Sequence, residues 1–249
     1  MEKIVEVKKL YFKYDESPLL EDVNFSINRG DFVGIVGANG SAKSTLIKLV
    51  LGILKPKRGE VCLMGQPIDK FKEWYKIGYI SQNVRNFNNS FPATVEEIIA
   101  VNLYHEMGVL KFIRKKHEEK INEVLELVDM IDYKKQLIGK LSGGQQQRIF
   151  IARTLISNPE IIFMDEPLVG VDVDSQQRFF SLMGKLNKDL GITLIIVSHD
   201  LEGIIGYTNK IACIREKRVF IHDSKHFNEK TDIKRYDPER KELLHPRDL

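Results

Sequence analysis

The chain has 249 residues, enough to bury a large core, and this length fits one α/β domain, or a core with an inserted subdomain, better than two large independent domains. Hydrophobic residues make up 43% and charged residues 29%, which is ordinary for a globular protein and excludes a disordered or fibrous class. The 38 basic and 35 acidic residues leave a net charge of +3, too small to indicate a nucleic-acid partner, so a phosphate ligand must be argued from local motifs.

The cysteines and the N-terminus bear on the cellular compartment. Cys62 and Cys213 each lie in an apolar stretch without CxxC spacing, which favours reduced core thiols and suits the cytoplasm. Residues 1–4 carry charges where a signal peptide needs its apolar run, and no stretch approaches the roughly 18 apolar residues of a membrane span. We therefore expect any membrane role to depend on a partner.

The first predicted elements are short antiparallel strands. Residues 3–36 alternate apolar and polar positions in bursts that are broken by turn residues. Residues 32–36 differ because they form a continuous apolar run, followed by a glycine-rich turn and a predicted helix from about residue 43 to 52. This strand, turn and helix make the first βα unit.

A mainly helical insert is predicted next. A buried strand at residues 77–80 is followed by an Asn-rich loop at 83–91, and Thr94 and Glu97 then form the pattern of a capping box that starts a helix. Apolar residues recur at helical spacing further along, at Ile121, Val124, Leu125 and Val128. Residues 93 to about 157 are therefore predicted to lie as a helical insert between parallel strands.

Two more buried strands are predicted at residues 161–164 and 193–197, and polar residues follow each of them. In open α/β sheets, ligands bind at the carboxyl ends of the strands. From residue 225 onward charge dominates, which predicts a surface tail. The chain contains no evident internal repeat.

The turn after the strand at 32–36 has the pattern of a phosphate-binding loop. Backbone amides can surround a polyphosphate at the N-terminus of a helix, Lys43 can reach the β- and γ-phosphates, and the Ser44 hydroxyl can ligate Mg²⁺. The pattern expects glycine where this chain has Ala42. We expect Ala42 to be entering the helix at negative φ, where its methyl group is tolerated. The loop comprises Gly37, Ala38, Asn39, Gly40, Ser41, Ala42, Lys43, Ser44 and Thr45.

Polar side chains also follow the other strands. Asp165 is placed to hold Mg²⁺ through water, and Glu166 to orient and polarise the attacking water. His199 follows the strand at 193–197 and can hydrogen-bond a γ-phosphate, and Gln82 follows the strand at 77–80 and can contact metal and water. The parallel placement of these four groups predicts one site.

A second anion site is predicted before another helix. Ser142 as N-cap, followed by Gly143, Gly144 and Gln145, exposes backbone amides at a positive helix end, ahead of a helix expected at 146–157. One ATP does not need two such sites from one small subunit. The pattern therefore indicates a head-to-tail pair of subunits that share nucleotides.

With these motifs in this order, the sequence resembles the ATP-binding-cassette family over nearly its whole length. The segment 37–45 resembles the Walker A loop, 141–145 the signature motif and 161–166 Walker B. Four single residues match further motifs, namely Gln82 of the Q-loop, Asp172 of the D-loop, His199 as switch histidine and Tyr14 as the A-loop aromatic that stacks on adenine. Leu168 departs from the threonine that the family often has after Asp-Glu-Pro, and touches no proposed catalytic role.

The resemblance implies an α/β fold, with a P-loop NTPase core (a RecA-like mixed sheet with an N-terminal antiparallel β-subdomain) plus an inserted α-helical subdomain. Within a single domain over 1–249, the expected divisions are a nucleotide-binding core at 1–92 and 158–224, a helical signature subdomain at 93–157 and a charged tail at 225–249.

The resemblance also implies cofactors and partners. A homodimer would sandwich two ATP molecules with Mg²⁺, each held by the Walker A loop of one subunit and the signature of the other, so that Ser142 and Gly144 act in trans. An integral membrane permease would be the direct partner, an extracytoplasmic solute-binding protein an indirect one, and no nucleic acid would be bound. The subunit would lie at the cytoplasmic face of the cell membrane as a peripheral protein.

Details favour a transporter, most like the zinc and manganese uptake branch, on the residues 91–95 and 167–172. The insert is expected to dock the membrane subunit, with Phe87, Phe91 and Tyr104 as groove or core residues. Two alternatives stay open at this point: a soluble cassette ATPase, such as one for iron–sulfur assembly or translation, and a non-enzymatic nucleotide-binding module, against which Glu166 and His199 both argue. The histidines at 222 and 226 are interpreted as solvated rather than metal-bound.

Overall fold

The structure is a computed structural model that describes residues 2–81, 92–104, 114–227, 236–237 and 242–243. The strands are β1 (Lys3–Phe12), β2 (Leu20–Asn28), β3 (Phe32–Val36), β4 (Arg58–Leu63), β5 (Gln66–Pro67), β6 (Ile77–Ile80), β7 (Ile161–Asp165), β8 (Thr193–Val197), β9 (Lys210–Arg215), β10 (Arg218–Asp223), β11 (Tyr236–Asp237) and β12 (Glu242–Leu243). The α-helices are α1 (Lys43–Val50), α2 (Val95–Ala100), α3 (Lys115–Leu127), α4 (Gly143–Leu155), α5 (Val173–Lys188) and α6 (Leu201–Ile205).

Two sheets form the framework. A six-stranded sheet has the order β10-β9-β3-β8-β7-β6, in which β9, β3, β8, β7 and β6 are parallel and β10 is an antiparallel edge strand. A four-stranded sheet has the order β2-β1-β4-β5 with antiparallel pairing. The predicted α/β class, with a mixed sheet and an N-terminal antiparallel sheet, is confirmed. Strands β4, β9 and β10 were not among the sequence predictions.

The central strands are apolar throughout because both faces of the large sheet are covered. Along β7, Ile161 and Phe163 face the cluster that contains α1 and the antiparallel sheet, whereas Ile162 and Met164 face the cluster that contains α2 to α5. The same alternation continues along β8. Burial on both faces explains why these strands read as continuous hydrophobic runs rather than alternating ones.

The helices α2, α3 and α4 pack against one another between β6 and β7 in the chain. The predicted capping box at the start of α2 is confirmed, since Thr94 N–H donates to Glu97 Oε2 at 2.7 Å and Glu97 N–H donates to Thr94 Oγ1 at 3.4 Å. The start of α4 differs from the prediction, because the helix begins at Gly143 rather than residue 146. The Ser142 cap compensates for the low helix propensity of the two glycines in the first turn.

The strand β10 explains why the two histidines near the C-terminus do not form the i, i+4 pair of a helix. His222 lies in β10 opposite Ile211, so the segment is extended there. Within the described ranges, no group of three or more His, Cys, Asp or Glu side chains is arranged to hold a metal ion. In the same residues, no helix has the length and hydrophobicity to cross a membrane.

Candidate nucleotide-binding site

The register of the parallel strands brings three strand ends to one edge of the sheet. Val197 at the end of β8 lies opposite Ile35 of β3 on one side and opposite Asp165 of β7 on the other. The loop after β3, the acidic pair after β7 and the residues after β8 therefore emerge side by side. The sequence predicted that these groups share one edge of the sheet, and this register explains why the ends of β3, β7 and β8 do.

The loop 37–45 surrounds the amino group of its own lysine. Lys43 is buried, and its Nζ donates to the carbonyl oxygens of Gly37 at 2.8 Å and Ala38 at 2.9 Å. Burial lowers the pKa of the Lys43 ammonium, while the carboxylates of Glu166 and Asp165 oppose that shift. A buried cation that is held mainly by neutral carbonyls would gain from an anionic ligand.

A second polar group in the loop, the Ser41 hydroxyl, would also gain from a ligand atom that accepts its hydrogen bond. The hydroxyl oxygen of Ser41 is buried and finds no hydrogen-bond partner among the described residues. Because a buried hydroxyl without a partner is costly, a ligand oxygen at this loop would compensate for the loss of hydration. Asn39 and Gly40, at the tip of the loop, are exposed.

Ala42 corrects one expectation from the sequence. It has φ 76° and ψ 19°, which is the left-handed region, rather than the negative φ of a residue entering the helix. Its position immediately outside α1 requires the chain to turn before Lys43 starts the helix, and this turn is the reason that glycine is expected there. The methyl group is only 7% exposed and packs in the cluster around α1.

The residues that could hold a magnesium ion lie in contact. Ser44 Oγ donates to Asp165 Oδ1 at 2.9 Å, which joins the start of α1 to the end of β7. Burial raises the pKa of the Asp165 carboxyl, Glu166 raises it further and the Ser44 hydrogen bond opposes both. Hydroxyl and carboxylate oxygens are the ligands Mg²⁺ prefers, and a cation there would stabilise the ionised carboxylate, so these residues fit the ion.

Glu166 and His199 share a cavity of about 170 Å³ at the same sheet edge. Glu166 has φ 48°, and its backbone N–H donates to Val197 O at 3.2 Å, so the chain turns sharply as it leaves β7. A positive φ at a non-glycine residue costs free energy and is tolerated where the surroundings impose it. Leu168 lines this cavity and packs against the larger hydrophobic cluster.

Tyr14 lies beside the end of the phosphate loop. Its hydroxyl is 3.4 Å from Thr45 Oγ1, and its ring makes an edge contact with Phe12 at 4.9 Å between centroids. The Tyr14 side chain is 58% exposed, which leaves a ring face free to stack on a planar ligand. Gln82 lies outside the described residues, so its predicted place at this edge stays a prediction.

The signature segment lines a different cavity, of about 340 Å³, whose described lining comes from α4, α5 and residues 129–133. Ser142 and Gln145 form a capping box, with Ser142 N–H donating to Gln145 Oε1 at 2.9 Å and Gln145 N–H donating to Ser142 Oγ at 3.3 Å. The amides of Gly143 and Gly144 belong to the first turn, where intrahelical acceptors are absent. The two predicted anion sites of the chain are therefore separate.

Asp172 caps α5 next to the signature. Its carboxylate accepts the N–H of Ser175 at 2.9 Å, and the hydrogen bonds from Ser175 hold the Asp172 pKa below its usual range. A Cβ placed on Gly144 would lie 3.6 Å from Ser175 Oγ, so the N-termini of α4 and α5 are adjacent. Asp172 is thus placed between the signature and the loop that follows Glu166.

Sequence reasoning missed the buried glutamine Gln147. Its Nε2 donates to Pro167 O at 3.1 Å, across 20 residues of sequence. The helical repeat carries the signal, because Gln147 lies three and four residues before the buried residues Phe150 and Ile151 and therefore falls on the buried face of α4. A polar side chain on that face needs a partner.

Comparison with known proteins follows the same lines. A family model described as "ABC transporter" matches residues 20–169. The zinc uptake system ATP-binding protein ZurA of Listeria monocytogenes is 43% identical over 230 residues, which cover 91% of this chain and 90% of that protein. The manganese transport system ATP-binding protein MntB of Bacillus subtilis is 35% identical over 215 residues, 86% of this chain and 84% of that protein.

Solved structures share the fold. CbiO1 of Clostridium perfringens, part of the ABC transporter complex cbiONQ, has a TM-score of 0.83 at 28% identity and covers 94% of this chain and 93% of its own. The ATP-binding cassette MJ0796, in a dimeric post-hydrolysis state bound to ADP and Pi, has a TM-score of 0.73 at 27% identity and covers 88% of this chain and 98% of its own.

Replacing Ala42 by glycine tests the strained position. Relief of the left-handed strain, about 1–2 kcal/mol, opposes the loss of a buried methyl group, about 0.8 kcal/mol, and the greater freedom of glycine in the unfolded chain. We expect the Ala42→Gly free energy of unfolding to stay within about 1 kcal/mol of wild type and the MgATP affinity within about tenfold. Denaturant unfolding and calorimetric titration measure both.

The matched control is Ala42→Val, in which a β-branched side chain is forced into positive φ at a packed site. It should lower the free energy of unfolding by about 2 kcal/mol or more. A rise in MgATP affinity well beyond tenfold in Ala42→Gly would instead mean that the methyl group crowds the phosphates.

Proposed function

The chain belongs to the ABC transporter family, and we propose that it hydrolyses ATP to power the uptake of a divalent metal ion, zinc or manganese, through a membrane permease. The observation that carries the ATPase assignment is the convergence of Lys43, Ser44, Asp165 and Glu166 at one sheet edge. The transported ion rests on the relatives, whose names are those of zinc and manganese transport subunits. None of the relatives reported above supports the iron–sulfur alternative.

The phosphate loop supplies the binding step of the proposed mechanism. The amides of residues 37–45 and the Lys43 ammonium hold the β- and γ-phosphates, which replace the carbonyl oxygens that Lys43 now contacts. Tyr14 stacks on the adenine from its exposed face. Ser44 and Asp165, with Gln82, would hold Mg²⁺, which would neutralise charge on the phosphates.

Hydrolysis uses the cavity that Glu166 and His199 share. The Glu166 carboxylate accepts a proton from a water molecule whose oxygen attacks the γ-phosphorus, while the bond from that phosphorus to the β–γ bridging oxygen breaks and ADP leaves. His199 donates a hydrogen bond to the γ-phosphate and stabilises its charge. The strained turn at Glu166 fixes where its carboxylate lies relative to the phosphate loop.

A homodimer completes each site in this proposal. The signature of one subunit, with the Gly143 and Gly144 amides and the Ser142 side chain, closes on the nucleotide held by the loop of the other, and Asp172 lies at the contact. The support is that the described lining of the signature cavity includes no residue of the phosphate loop, so the two anion sites of one chain lie apart. ATP binding closes the dimer and hydrolysis reopens it.

The partner in the membrane is proposed to dock near β6 and α4. A cavity of about 280 Å³ lies between them, lined by residues 77–81, by Asn102 and by residues at and just beyond the C-terminal end of α4. Val101 and Tyr104, on the turn that also supplies Asn102 to this cavity, are 56% and 60% exposed. Phe87 and Phe91, also predicted for this surface, lie outside the described residues.

The subunit would thus be peripheral on the cytoplasmic face of the membrane, and a solute-binding protein would be engaged only through the permease.

Glu166→Gln tests the function. The amide cannot accept the proton from water, while Lys43 and Asp165 still hold MgATP, so we expect ATP turnover to fall by about two orders of magnitude or more with binding retained. ATP should also shift the variant to a dimer in size-exclusion chromatography. Cells that carry only this variant should fail to accumulate radioactive zinc or manganese.

The control for the Glu166 experiment is Glu216→Gln, at an exposed turn between β9 and β10, which should behave as wild type in all three assays. Turnover near the wild-type rate in Glu166→Gln would remove Glu166 from its role. Loss of turnover without any change in zinc or manganese accumulation would contradict the transported ion but not the ATPase.

Cysteine crosslinking tests the docking surface. Tyr104→Cys should capture an integral membrane protein in native vesicles, because Tyr104 is exposed at the end of the turn that supplies Asn102 to the proposed docking cavity. Leu190→Cys is the matched control, since Leu190 is similarly exposed at 53% but lies between α5 and the start of the inner strand β8, outside the described lining of the cavity, and it should capture none. Equal capture by both variants, or by neither, would contradict this surface.

A further inference from the structure

The side chain of Gln147 connects the signature helix α4 to the loop that follows strand β7 within one subunit. Gln147 is 5% exposed and lies one turn into α4, two residues after the signature. Its Nε2 donates at 3.1 Å to the carbonyl oxygen of Pro167, the residue after Glu166. A helix that begins at the signature is therefore hydrogen-bonded to the backbone beside the proposed catalytic base.

The backbone at Pro167 is a place where such a bond matters. Glu166 has positive φ and is fixed on one side by its N–H bond to Val197 O on β8. On its other side, the chain continues through a loop to Asp172 at the start of α5, and the Gln147 bond holds that loop at its first residue. The backbone that carries the Glu166 carboxylate is thus held to the sheet on one side and, through Pro167, to the signature helix on the other.

The neighbouring glutamine points to a different task. Gln146 is also buried, at 4%, but its Nε2 donates to the carbonyl oxygens of Ile138 and Leu141, both at 3.2 Å. Ile138 precedes the signature, and Leu141 is its first residue. Gln146 therefore braces the turn that presents the signature, whereas Gln147 reaches out of the helical region to the catalytic loop.

We infer that Gln147 is a positioning residue that holds the turn at Glu166 in place from the signature helix of the same subunit. This inference rests on the proposed function, in which the signature of a subunit serves the partner's nucleotide and its Glu166 serves its own. The Gln147 bond therefore acts on the site whose phosphate loop and Glu166 lie in the same subunit, and not on the site that this subunit's signature completes.

A dimer with one intact site separates the contribution of a subunit's Glu166 from the contribution of its signature. When Lys43→Ala and Ser142→Arg subunits are mixed, the intact site combines the phosphate loop and Glu166 of the Ser142→Arg subunit with the signature of the Lys43→Ala subunit. Each homodimer alone should be inactive and the mixture partly active. If mixed dimers form and remain inactive, the shared-site dimer of the proposed function fails, and Gln147 is not the cause.

Gln147→Leu is then placed in one subunit at a time. In the Ser142→Arg subunit, whose Glu166 works, it should lower turnover by about tenfold with the KM for ATP within about twofold, because the base is misplaced but the phosphate loop is intact. In the Lys43→Ala subunit, whose Glu166 faces the inactive site, turnover should stay within about twofold of the reference mixture.

Gln146→Leu is the matched control, because it makes the same substitution one residue earlier, and it should show the reverse pattern. It should lower turnover when placed in the Lys43→Ala subunit, whose signature works, and have little effect in the other. Equal losses from Gln147→Leu in both placements, or no loss in either, would overturn the positioning role. Thermal unfolding of each homodimer shows whether the variants remain folded.

Discussion

The register of three parallel strands is the constraint on which the candidate site depends. Because Val197 lies between Ile35 and Asp165, the ends of β3, β8 and β7 are held at one level by the sheet hydrogen bonds. A slip of one residue would exchange the two faces of a strand, and burial on both faces by different clusters makes that slip costly. The Ser44 to Asp165 hydrogen bond is a direct product of this register.

The chemistry of the site follows from the pKa shifts that burial causes in the charged side chains at the sheet edge. Burial lowers the pKa of Lys43 and raises that of Asp165, so each group is less stable in its charged form than it would be in water. An anionic ligand next to Lys43 and a cation next to Asp165 would reverse both shifts. MgATP supplies the two charges together, which is why these residues fit that ligand better than either ion alone. The helical region adds its own predicted anion site, and Gln147 joins this region by a hydrogen bond to the backbone beside Glu166.

The sequence predicted those features that local patterns determine. Continuous apolar runs marked β3, β7 and β8 because both of their faces are buried, and the motifs at their ends followed from the geometry of parallel sheets. The Thr94 cap could be predicted because a capping box involves only four consecutive residues. The division of the chain into subdomains and the individual site roles remain predictions of the family resemblance.

Features that depend on distant parts of the chain could not be predicted. The positive φ of Ala42 is set by the path between β3 and α1, whereas residue preference alone favoured negative φ. The start of α4 was placed too late because two glycines suggest a turn, although a capped first turn tolerates them. The Gln147 to Pro167 bond joins two segments whose proximity only the packing of α4 on the core creates.

The magnesium dependence of ATP binding tests the central claim most directly. Calorimetric titration of ATP, with Mg²⁺ and with a chelator, gives the affinity gained from the ion, and Asp165→Asn keeps an acceptor oxygen for the Ser44 hydroxyl while it removes the charge. We expect the variant to bind ATP without Mg²⁺ as well as wild type does, but to lose at least about tenfold of the gain from Mg²⁺, or about 1.4 kcal/mol. An undiminished gain from Mg²⁺ in Asp165→Asn would contradict the claim that this sheet edge is a MgATP site.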